Sequence, residues 1–401
     1  MRAGIAWGRH TLDLEVRAPN FLAGHRADSV TDLADPVAAL RDALENPLDY
    51  PALRLALIPD DHVAIVVDEG IPHLDRLLVP LLEHIRQANV QPDAITLVCP
   101  PLSSSQPWVD DLPDEFEEVH VEVHQPGDRR KLAYLGTTKQ DLRIYLNRSV
   151  VDADQAVVLA RRGYDPRVGY SGAEAALYPG MADEPTRQEI YTDLHHRAPG
   201  DEPWPIQQEA RDVTWHLGAP FFVQLIEGAG DAISSIVTGP FESSLAGQRL
   251  LNARWRVEFD QAADVVIAGI SGDPALHTLD DLAAAYFAAA RVVKPGGSIV
   301  LLSEITPTLG PGFEQFRRHD DPSLAMGVLM QEKPSDLAAC FQWATAANQA
   351  RLYLLSGLPG DVAEELFTIP LQRAEQAQKL LTEDATCILL PDAHRTLAVL
   401  R

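Results

Sequence analysis

Cysteine is scarce in this 401-residue sequence, and the positions of the few cysteines exclude two common kinds of site. Cys99, Cys340 and Cys387 lie far apart, and none of them belongs to a CxxC motif. Zinc sites and disulfide frameworks both depend on closely spaced or paired cysteines, so neither is indicated. The length of the chain favours two α/β-sized domains over a single core.

Positive charge is also scarce, since 33 lysines and arginines face 58 acidic residues and give a formal charge of -25. Nucleic-acid binding needs clustered basic residues, and the nearest cluster is the short run Arg129-Arg130-Lys131. No apolar run approaches a membrane span, and the first residues lack the apolar core of a signal peptide. We therefore expect a cytoplasmic protein that binds neither nucleic acid nor membranes.

The common nucleotide-binding loops are missing as well. No GxGxxG follows the first predicted buried strand, and no GxxxxGK[ST] occurs anywhere in the sequence. The segment "VVKPGGSIVL" has counterparts in many nucleotide- and methyl-transfer folds, but Gly296 and Gly297 are expected mainly to form a tight exit from a helix. The sequence therefore gives little support to dinucleotide or Walker-type binding.

Short apolar runs alternate with helical patterns in both halves of the chain. The run "HVAIVVD" (62–68) is typical of a strand buried on both faces, and an amphipathic helix pattern follows it. We expect residues 181–218 to form loops. In the first half we predict strands at 10–16, 62–68, 94–100, 118–125 and 153–162, and helices at 36–46 and 73–90.

The same pattern restarts in the second half, with a strand and loop at 263–274, a helix at 279–293, a turn and strand at 294–304, and strand signals at 350–359 and 386–392. Alternating strands and helices indicate parallel sheets. We therefore predict an α/β fold of two α/β domains with mostly parallel sheets. The N-terminal domain is expected at residues 1–246 and the C-terminal domain at 247–401.

Candidate site residues follow the predicted strands, because open α/β sheets bind ligands beyond the carboxyl ends of their strands. Asp68 ends a buried strand, where it either caps the next helix or acts as a hydrogen-bond acceptor or a base at the sheet rim. His73 is either a helix-start residue or a proton carrier. Further rim segments are expected at 100–106, 165–174 and around Gly136-Thr137-Thr138.

Histidines supply a second group of candidates. His195 and His196 are possible metal ligands, although an adjacent pair on a polar loop is more often solvated and lacks the i, i+4 spacing with an acid. His277 lies in the matching rim loop of the second half. Together with His73, it favours a site to which both halves contribute.

The segment "GYSGAEAALYPG" (169–180) predicts a turn that leads into a short helix. Free N–H groups at such a turn suit an anion. The segment nevertheless carries a carboxylate, Glu174, and no lysine or arginine. Asp165, Arg167 and Glu174 either form an internal ion pair or bind a polar ligand.

Several segments together resemble the lactate racemase family, whose known members carry a nickel-pincer nucleotide. The resemblance runs in order along the chain and implies a site in a cleft between two α/β domains. The matching segments, in chain order, are "ALENPLDYPALRLALIPDDHVAIVVD" (43–68), "YLGTTKQDLRIYLNRSVVDADQAVVLA" (134–160), "GYSGAEAALYPGMA" (169–182) and "ISGDPALHTLDD…VVKPGGSIVLLSE" (270–304).

The resemblance implies that most functional residues of the family are replaced in this chain. Ala175 stands where the family has the lysine that bonds the cofactor, and Asp165 stands where it has a catalytic histidine. Tyr191 falls near the nickel-binding histidine, with His195 and His196 one helical turn further on.

The remaining positions show the same trend. Ile71 replaces the arginine that steers the substrate carboxylate, whereas Asp68 is kept. Ser104 falls near the second catalytic histidine. The substrate-binding tyrosine and lysine of the family fall near Asp280 and Ala284.

These substitutions predict a protein whose cleft binds a small polar or hydroxy-acid ligand without nickel-pincer catalysis, since Ala175 offers no covalent tether. The alternatives are a 2-hydroxy-acid racemase or epimerase, which is an isomerase, or another enzyme with a rebuilt site. The candidate catalytic residues are Asp68, His73 and Asp165, and the candidate metal ligands are His195 and His196. The candidate cleft residues are Ser104, Arg167, Tyr170, Ser171, Glu174, Tyr191 and His277.

Overall fold

The computed structural model describes residues 1–25, 30–101, 106–137, 143–200 and 202–401. Most of the strands lie in two sheets, and the others pair in short two-stranded ribbons. In chain order the strands are β1 (Arg2–Trp7), β2 (His10–Glu15), β3 (Val63–Val67), β4 (Ile95–Cys99), β5 (His120–Val123), β6 (Leu132–Thr137), β7 (Arg143–Asn147), β8 (Gln155–Arg161), β9 (Gly163–Asp165), β10 (Gly169–Ser171), β11 (Phe221–Glu227), β12 (Ile233–Gly239), β13 (Arg256–Phe259), β14 (Ala263–Gly269), β15 (Val293–Leu302), β16 (Arg351–Leu355), β17 (Thr368–Pro370), β18 (Cys387–Leu390) and β19 (Leu397–Leu400).

Helices cover the two large sheets, and in the part of the chain described above none is long and apolar enough to cross a bilayer. In chain order they are α1 (Pro36–Glu45), α2 (Leu53–Ala56), α3 (Leu74–Arg86), α4 (Arg148–Asp152), α5 (Glu174–Leu177), α6 (Glu184–Tyr191), α7 (Pro205–Trp215), α8 (Phe241–Trp255), α9 (Leu279–Ala290), α10 (Pro311–Phe316), α11 (Pro322–Glu332), α12 (Leu337–Gln349) and α13 (Gly360–Glu365).

The first sheet has the strand order β12-β11-β8-β3-β4-β5 and is parallel except for β12. Its central strand β3 is buried on both faces, which explains its continuous apolar run. Ile65 and Val67 join the core that holds α1 and α3, whereas Ala64 and Val66 join the core that holds α5. The α/β class with mostly parallel sheets is confirmed.

The second sheet has the order β17-β16-β15-β14-β18 and is wholly parallel. Helices α9 and α12 pack on one face, where Tyr286 and Trp343 meet edge to face. The hairpin β1–β2 packs on the other face, and its Ile5 and Leu14 share a core with Val265. The first strands of the chain therefore complete the core of the second sheet.

Two expectations about the middle of the chain are wrong. Residues 181–218 hold the helices α6 and α7, because Asp183 caps α6 through the Thr186 N–H and prolines occupy the first helical turns. Gly136 and Thr137 lie within β6 rather than in a rim loop, and Thr138 is outside the described residues.

Strands β11 and β12 were not predicted from the sequence, yet β11 contributes one of the three neighbouring strand ends at the rim of the first sheet. Strand β8 lies between β3 and β11, with Val67 opposite Leu159 and Gln224 opposite Ala160. The three parallel strands end at one rim of the sheet. Side chains that follow β3, β8 and β11 are therefore brought together there.

Candidate functional site

A cavity of about 630 Å³ lies at this rim and is lined by strand ends of the first sheet and by helices and connecting segments of the second half of the chain. The first half contributes the ends of β3 and β8 and the segment around Asp165, and the second half contributes the start of α9 and the start of α12. The last lining residues are His394 and Arg395, which belong to a short 3-10 helix near the C-terminus. We call this space the larger cavity.

Asp68 forms a two-pronged ion pair with Arg161 at the ends of β3 and β8. The guanidinium donates through Nε to Oδ2 at 2.9 Å and through Nη2 to Oδ1 at 3.2 Å. The Gly70 N–H also donates to Asp68. A β-carbon at Gly70 would lie 2.0 Å from Arg161 Nη2, so a glycine at this position leaves room for the guanidinium.

The ion pair extends into the C-terminal part of the chain through Glu227 at the end of β11. Its Oε1 lies 3.8 Å from Arg161 Nη1 and accepts a hydrogen bond from Arg395 Nη2 at 2.8 Å. Only 8% of the Arg395 side chain and 10% of the Glu227 side chain are exposed. This network joins three strand ends to the segment that follows the second sheet.

Asp165 and Arg167 form a second ion pair on the wall of the larger cavity. Arg167 donates to both carboxylate oxygens, and its backbone N–H donates to Oδ1 at 2.7 Å. The ring of Tyr191 lies 4.4 Å from the Arg167 guanidinium carbon and 4.8 Å from that of Arg187. Asp165, Arg167 and Tyr191 thus lie together on the wall of the larger cavity.

These ion pairs weaken both carboxylates as bases. Burial alone would raise their pKa values, but the guanidinium of Arg161 lowers the pKa of Asp68 and that of Arg167 lowers the pKa of Asp165. A carboxylate with a lowered pKa binds a proton less readily. Asp68 and Asp165 are therefore better suited to holding arginines than to removing a proton from a ligand.

The turn at 169–180 lies against the end of β8, which supplies the cation that the turn itself lacks. Gly172 has φ +75°, and a β-carbon there would lie 2.3 Å from the carbonyl oxygen of Arg161. Arg162, the residue after β8, is buried, which lowers its pKa, whereas the negative charge of Glu174 acts to raise that pKa. Ser171 lines the larger cavity, whereas Tyr170 and Glu174 line a separate, smaller cavity behind the turn.

His277 and His394 stack edge to face with their ring centroids 5.1 Å apart. Both ring nitrogens of His394 and Nε2 of His277 are buried without a hydrogen-bond partner. Burial lowers the pKa of each imidazole, and the nearby Arg395 and Arg161 lower that of His394 further. His394 lines the larger cavity as a neutral ring with one donor and one acceptor.

We predict that His394 destabilises the fold in acid. Below about pH 6.5 the unfolded chain protonates this histidine whereas the folded chain keeps it neutral, so stability falls as the pH falls. His394→Phe should reduce the loss of unfolding free energy between about pH 7 and about pH 5 by about 1–2 kcal/mol. Chemical denaturation at both pH values measures this, with the exposed His120 changed to Phe as control. Equal pH dependence in both variants would contradict the prediction.

His195 and His196 contact different partners. The ring of His195 lies against Trp204 and its Nε2 is 3.3 Å from Asp193, whereas His196 lies against Phe341. Among residues 1–25, 30–101, 106–137, 143–200 and 202–401, no three His, Cys, Asp or Glu side chains are grouped to hold a metal ion. The two histidines thus do not converge on one point.

The remaining positions singled out from the sequence differ in where they lie. His73 is exposed at the start of α3 with φ 55°, and its side chain does not cap the helix. Ser104 lies outside the described residues. Asp280 and Ala284 on α9 do line the larger cavity, and burial and the carboxylates of Asp281 and Asp336 raise the pKa of Asp280.

Sequence reasoning missed the residues that organise the site, namely Arg161, Arg162, Glu227, His394 and Arg395. A signal existed for the arginine pair, because it directly follows the buried run of β8 just as Asp68 follows β3. Glu227 ends a strand that was not predicted. His394 and Arg395 occur in a short segment with no periodic pattern, so nothing local marks them.

Comparison with known proteins gives one consistent result. Residues 7–198 match the family described as "Lactate racemase N-terminal domain". A lactate racemase of Thermoanaerobacterium thermosaccharolyticum is 22% identical over 380 residues, which cover 88% of each chain.

Two solved structures share the fold. The lactate racemase apoprotein of Thermoanaerobacterium thermosaccharolyticum matches 99% of this chain and all of its own, with a TM-score of 0.82 and 16% identity. A protein from Thermotoga maritima matches 93% of this chain and all of its own, with a TM-score of 0.63 and 12% identity. At these identities the likeness concerns the fold alone.

Proposed function

Because the chain belongs to the lactate racemase family, we propose that its larger cavity binds a small hydroxy acid but that it has lost nickel-pincer catalysis. The two parts of this proposal have separate supports. Ligand binding is argued from the polar atoms that line the cavity. The loss of catalysis is argued from the residues that occupy the positions of the tether and the bases.

His394 is the observation that carries ligand binding. Its two ring nitrogens are buried with no partner, and so is Nε of the adjacent Arg395. Buried polar atoms without partners are costly, so a ligand that supplies partners gains free energy. A hydroxy acid offers both a hydrogen-bond acceptor and a hydrogen-bond donor, since its carboxylate accepts hydrogen bonds and its hydroxyl donates one.

The residues present do not fit the cofactor of the family. Ala175 lines both cavities at the position of the tethering lysine, and its methyl group offers no nucleophile. Tyr191 and the divergent pair His195 and His196 do not form a metal-binding group. Asp165, at the position of a catalytic histidine, is held by Arg167.

One observation favours the alternative of an enzyme with a rebuilt site. His394 is a neutral imidazole on the cavity wall, so one ring nitrogen carries a free lone pair, and its lowered pKa makes it a weak base. If it acts as a base on a bound 2-hydroxy acid, the protein is an isomerase that works without the family cofactor. Conversion of one enantiomer of lactate into the other tests this directly.

We expect saturable binding of D- or L-lactate or malate to the full chain, measured by titration calorimetry and by ligand-induced thermal stabilisation. His394→Phe keeps a ring but removes both nitrogens, so it should weaken binding about tenfold. His120→Phe, an exposed change on β5, serves as the matched control. Binding that is equal in both variants would remove His394 from the site, and no binding to the unaltered chain would overturn the proposal.

The loss of catalysis predicts an unmodified protein. After production in a host that makes the nickel-pincer nucleotide, the denatured chain should have the mass of the bare polypeptide, and it should not interconvert lactate enantiomers. The Thermoanaerobacterium thermosaccharolyticum lactate racemase, treated identically, is the positive control. An added mass on this chain would show that another residue holds the cofactor, whereas racemisation by a chain of unmodified mass would favour the rebuilt-site isomerase.

A further inference from the structure

A second cavity of about 270 Å³ lies behind the turn at 169–175, between that turn, α7 and α8. It shares Arg162, Val168, Gly172 and Ala175 with the larger cavity, but the rest of its wall is different. The wall residues of its own include Glu174, Ile206, Ala210, Arg211 and Leu245. We call this space the smaller cavity.

Arg162 lines this cavity, and the carboxylate-binding edge of its guanidinium is unfilled. Its residue exposure is 2%, and its Nε and Nη2 have no hydrogen-bond partner. Elsewhere in the chain the same two atoms of an arginine hold a carboxylate, in Arg161 with Asp68 and in Arg54 with Glu45. This edge matches the two oxygens of a carboxylate, so an acid ligand is the natural partner of Arg162.

Glu174 supplies the complementary charge on the same wall. It is 7% exposed, and its Oε2 accepts a hydrogen bond from the Ser244 hydroxyl at 2.5 Å. Its Oε1 is buried and has no partner, so it is not bonded to Arg162. A buried carboxylate oxygen in this state requires a donor, and a cationic donor satisfies both its charge and its hydrogen-bonding capacity.

The third charged residue of the wall, Arg211, sets the charge of the ligand. The lining groups carry two positive charges, on Arg162 and Arg211, and one negative charge, on Glu174. Their sum is +1, which a ligand of net charge -1 neutralises. An amino acid with an acidic side chain has this net charge, because its two carboxylates outweigh its ammonium group.

We propose that the smaller cavity is a binding site for an acidic α-amino acid. The α-carboxylate lies against Nε and Nη2 of Arg162, the ammonium donates to Oε1 of Glu174, and the side-chain carboxylate lies toward Arg211. Val168, Ile206, Ala210 and Leu245 provide the apolar surface around the carbon chain. This site goes beyond the proposed function, because Glu174 and Arg211 do not line the larger cavity.

The experiment titrates L-aspartate and L-glutamate into the full chain and uses L-malate, the hydroxy analogue of L-aspartate, for comparison. We expect one amino acid bound per chain, with binding weakened about tenfold or more by Glu174→Gln. His394→Phe is the matched control, because His394 lines only the larger of these two cavities. It should leave amino-acid binding unchanged and weaken L-malate binding instead.

Three outcomes would overturn the site. They are that neither amino acid binds, that amino-acid binding survives Glu174→Gln, or that amino-acid binding is lost in His394→Phe. L-malate competing for the same site as tightly as L-aspartate would overturn the amino-acid class, since Glu174 would then not be selecting an ammonium. The opposite responses of the two variants separate a failure here from a failure of hydroxy-acid binding.

A second variant covers the case in which Glu174→Gln does not fold. Arg211 is only partly buried, so Arg211→Gln is expected to fold normally. It should weaken L-aspartate several-fold more than it weakens L-alanine, which lacks the side-chain carboxylate. Equal effects on both amino acids would contradict the orientation proposed for the ligand.

Discussion

Replacing Glu227 with glutamine is expected to lower the free energy of unfolding by about 3 kcal/mol. The carboxylate accepts from Arg395 at 2.8 Å and lies 3.8 Å from Arg161, and both Glu227 and Arg395 are buried. Removing one partner of a buried ion pair leaves the other charge without compensation. Glutamine has nearly the same shape as glutamate, so the loss reports the charge rather than the packing.

Urea denaturation at neutral pH measures this effect. The control is Glu383→Gln, because Glu383 pairs with Arg17 at 2.7 Å in a largely exposed setting. Exposed pairs of this kind contribute about 0–1 kcal/mol. If the two variants lost the same free energy, the buried network at the ends of β3, β8 and β11 would not be what stabilises this rim.

Gly172→Ala is expected to cost about 3 kcal/mol and to weaken ligand binding in both cavities. Its φ of +75° disfavours any side chain, and the new methyl group would lie 2.3 Å from the carbonyl oxygen of Arg161. Backbone atoms cannot rotate away, so either the turn or the end of β8 must move. Arg161 and Arg162 would then move with it.

Gly218→Ala is the control that separates the cost of the positive φ from the cost of the contact between the new methyl group and the Arg161 carbonyl oxygen. Gly218 has a similar φ of +87°, but a β-carbon added there would have no atom within 4 Å. Its substitution should cost about 1 kcal/mol, which is the cost of the left-handed backbone alone. A Gly172 variant no less stable than the Gly218 variant would show that the turn is not held tightly against β8.

The elements that could be predicted from sequence are those whose pattern is local. Strand β3 and helix α3 were recognisable because a strand buried on both faces is apolar throughout and an amphipathic helix repeats every three to four residues. The helices α6 and α7 were not recognised, because their polar sequences hide the capping signals at Asp183 and Pro205. The domain ranges 1–246 and 247–401 stay a prediction.

The site could be predicted only where one rule applied, that polar residues after parallel strands gather at one rim. This rule identified Asp68, Asp165 and Arg167, all of which line the larger cavity. It did not identify their partners. Asp68 pairs with a residue 93 positions away and Glu227 with one 168 positions away, and no local pattern connects residues at such separations.

The α/β class and the positions of the central strands could be predicted from the chain alone, because composition and periodicity are properties of the sequence. Which charges meet became apparent only from the fold. Strand pairing set Arg161 between Asp68 and Glu227, and the packing of the turn against β8 left Arg162 and Glu174 buried with unfilled hydrogen-bonding atoms. The free energy of a buried charge depends on the partners within a few ångströms, and those partners are chosen by the fold.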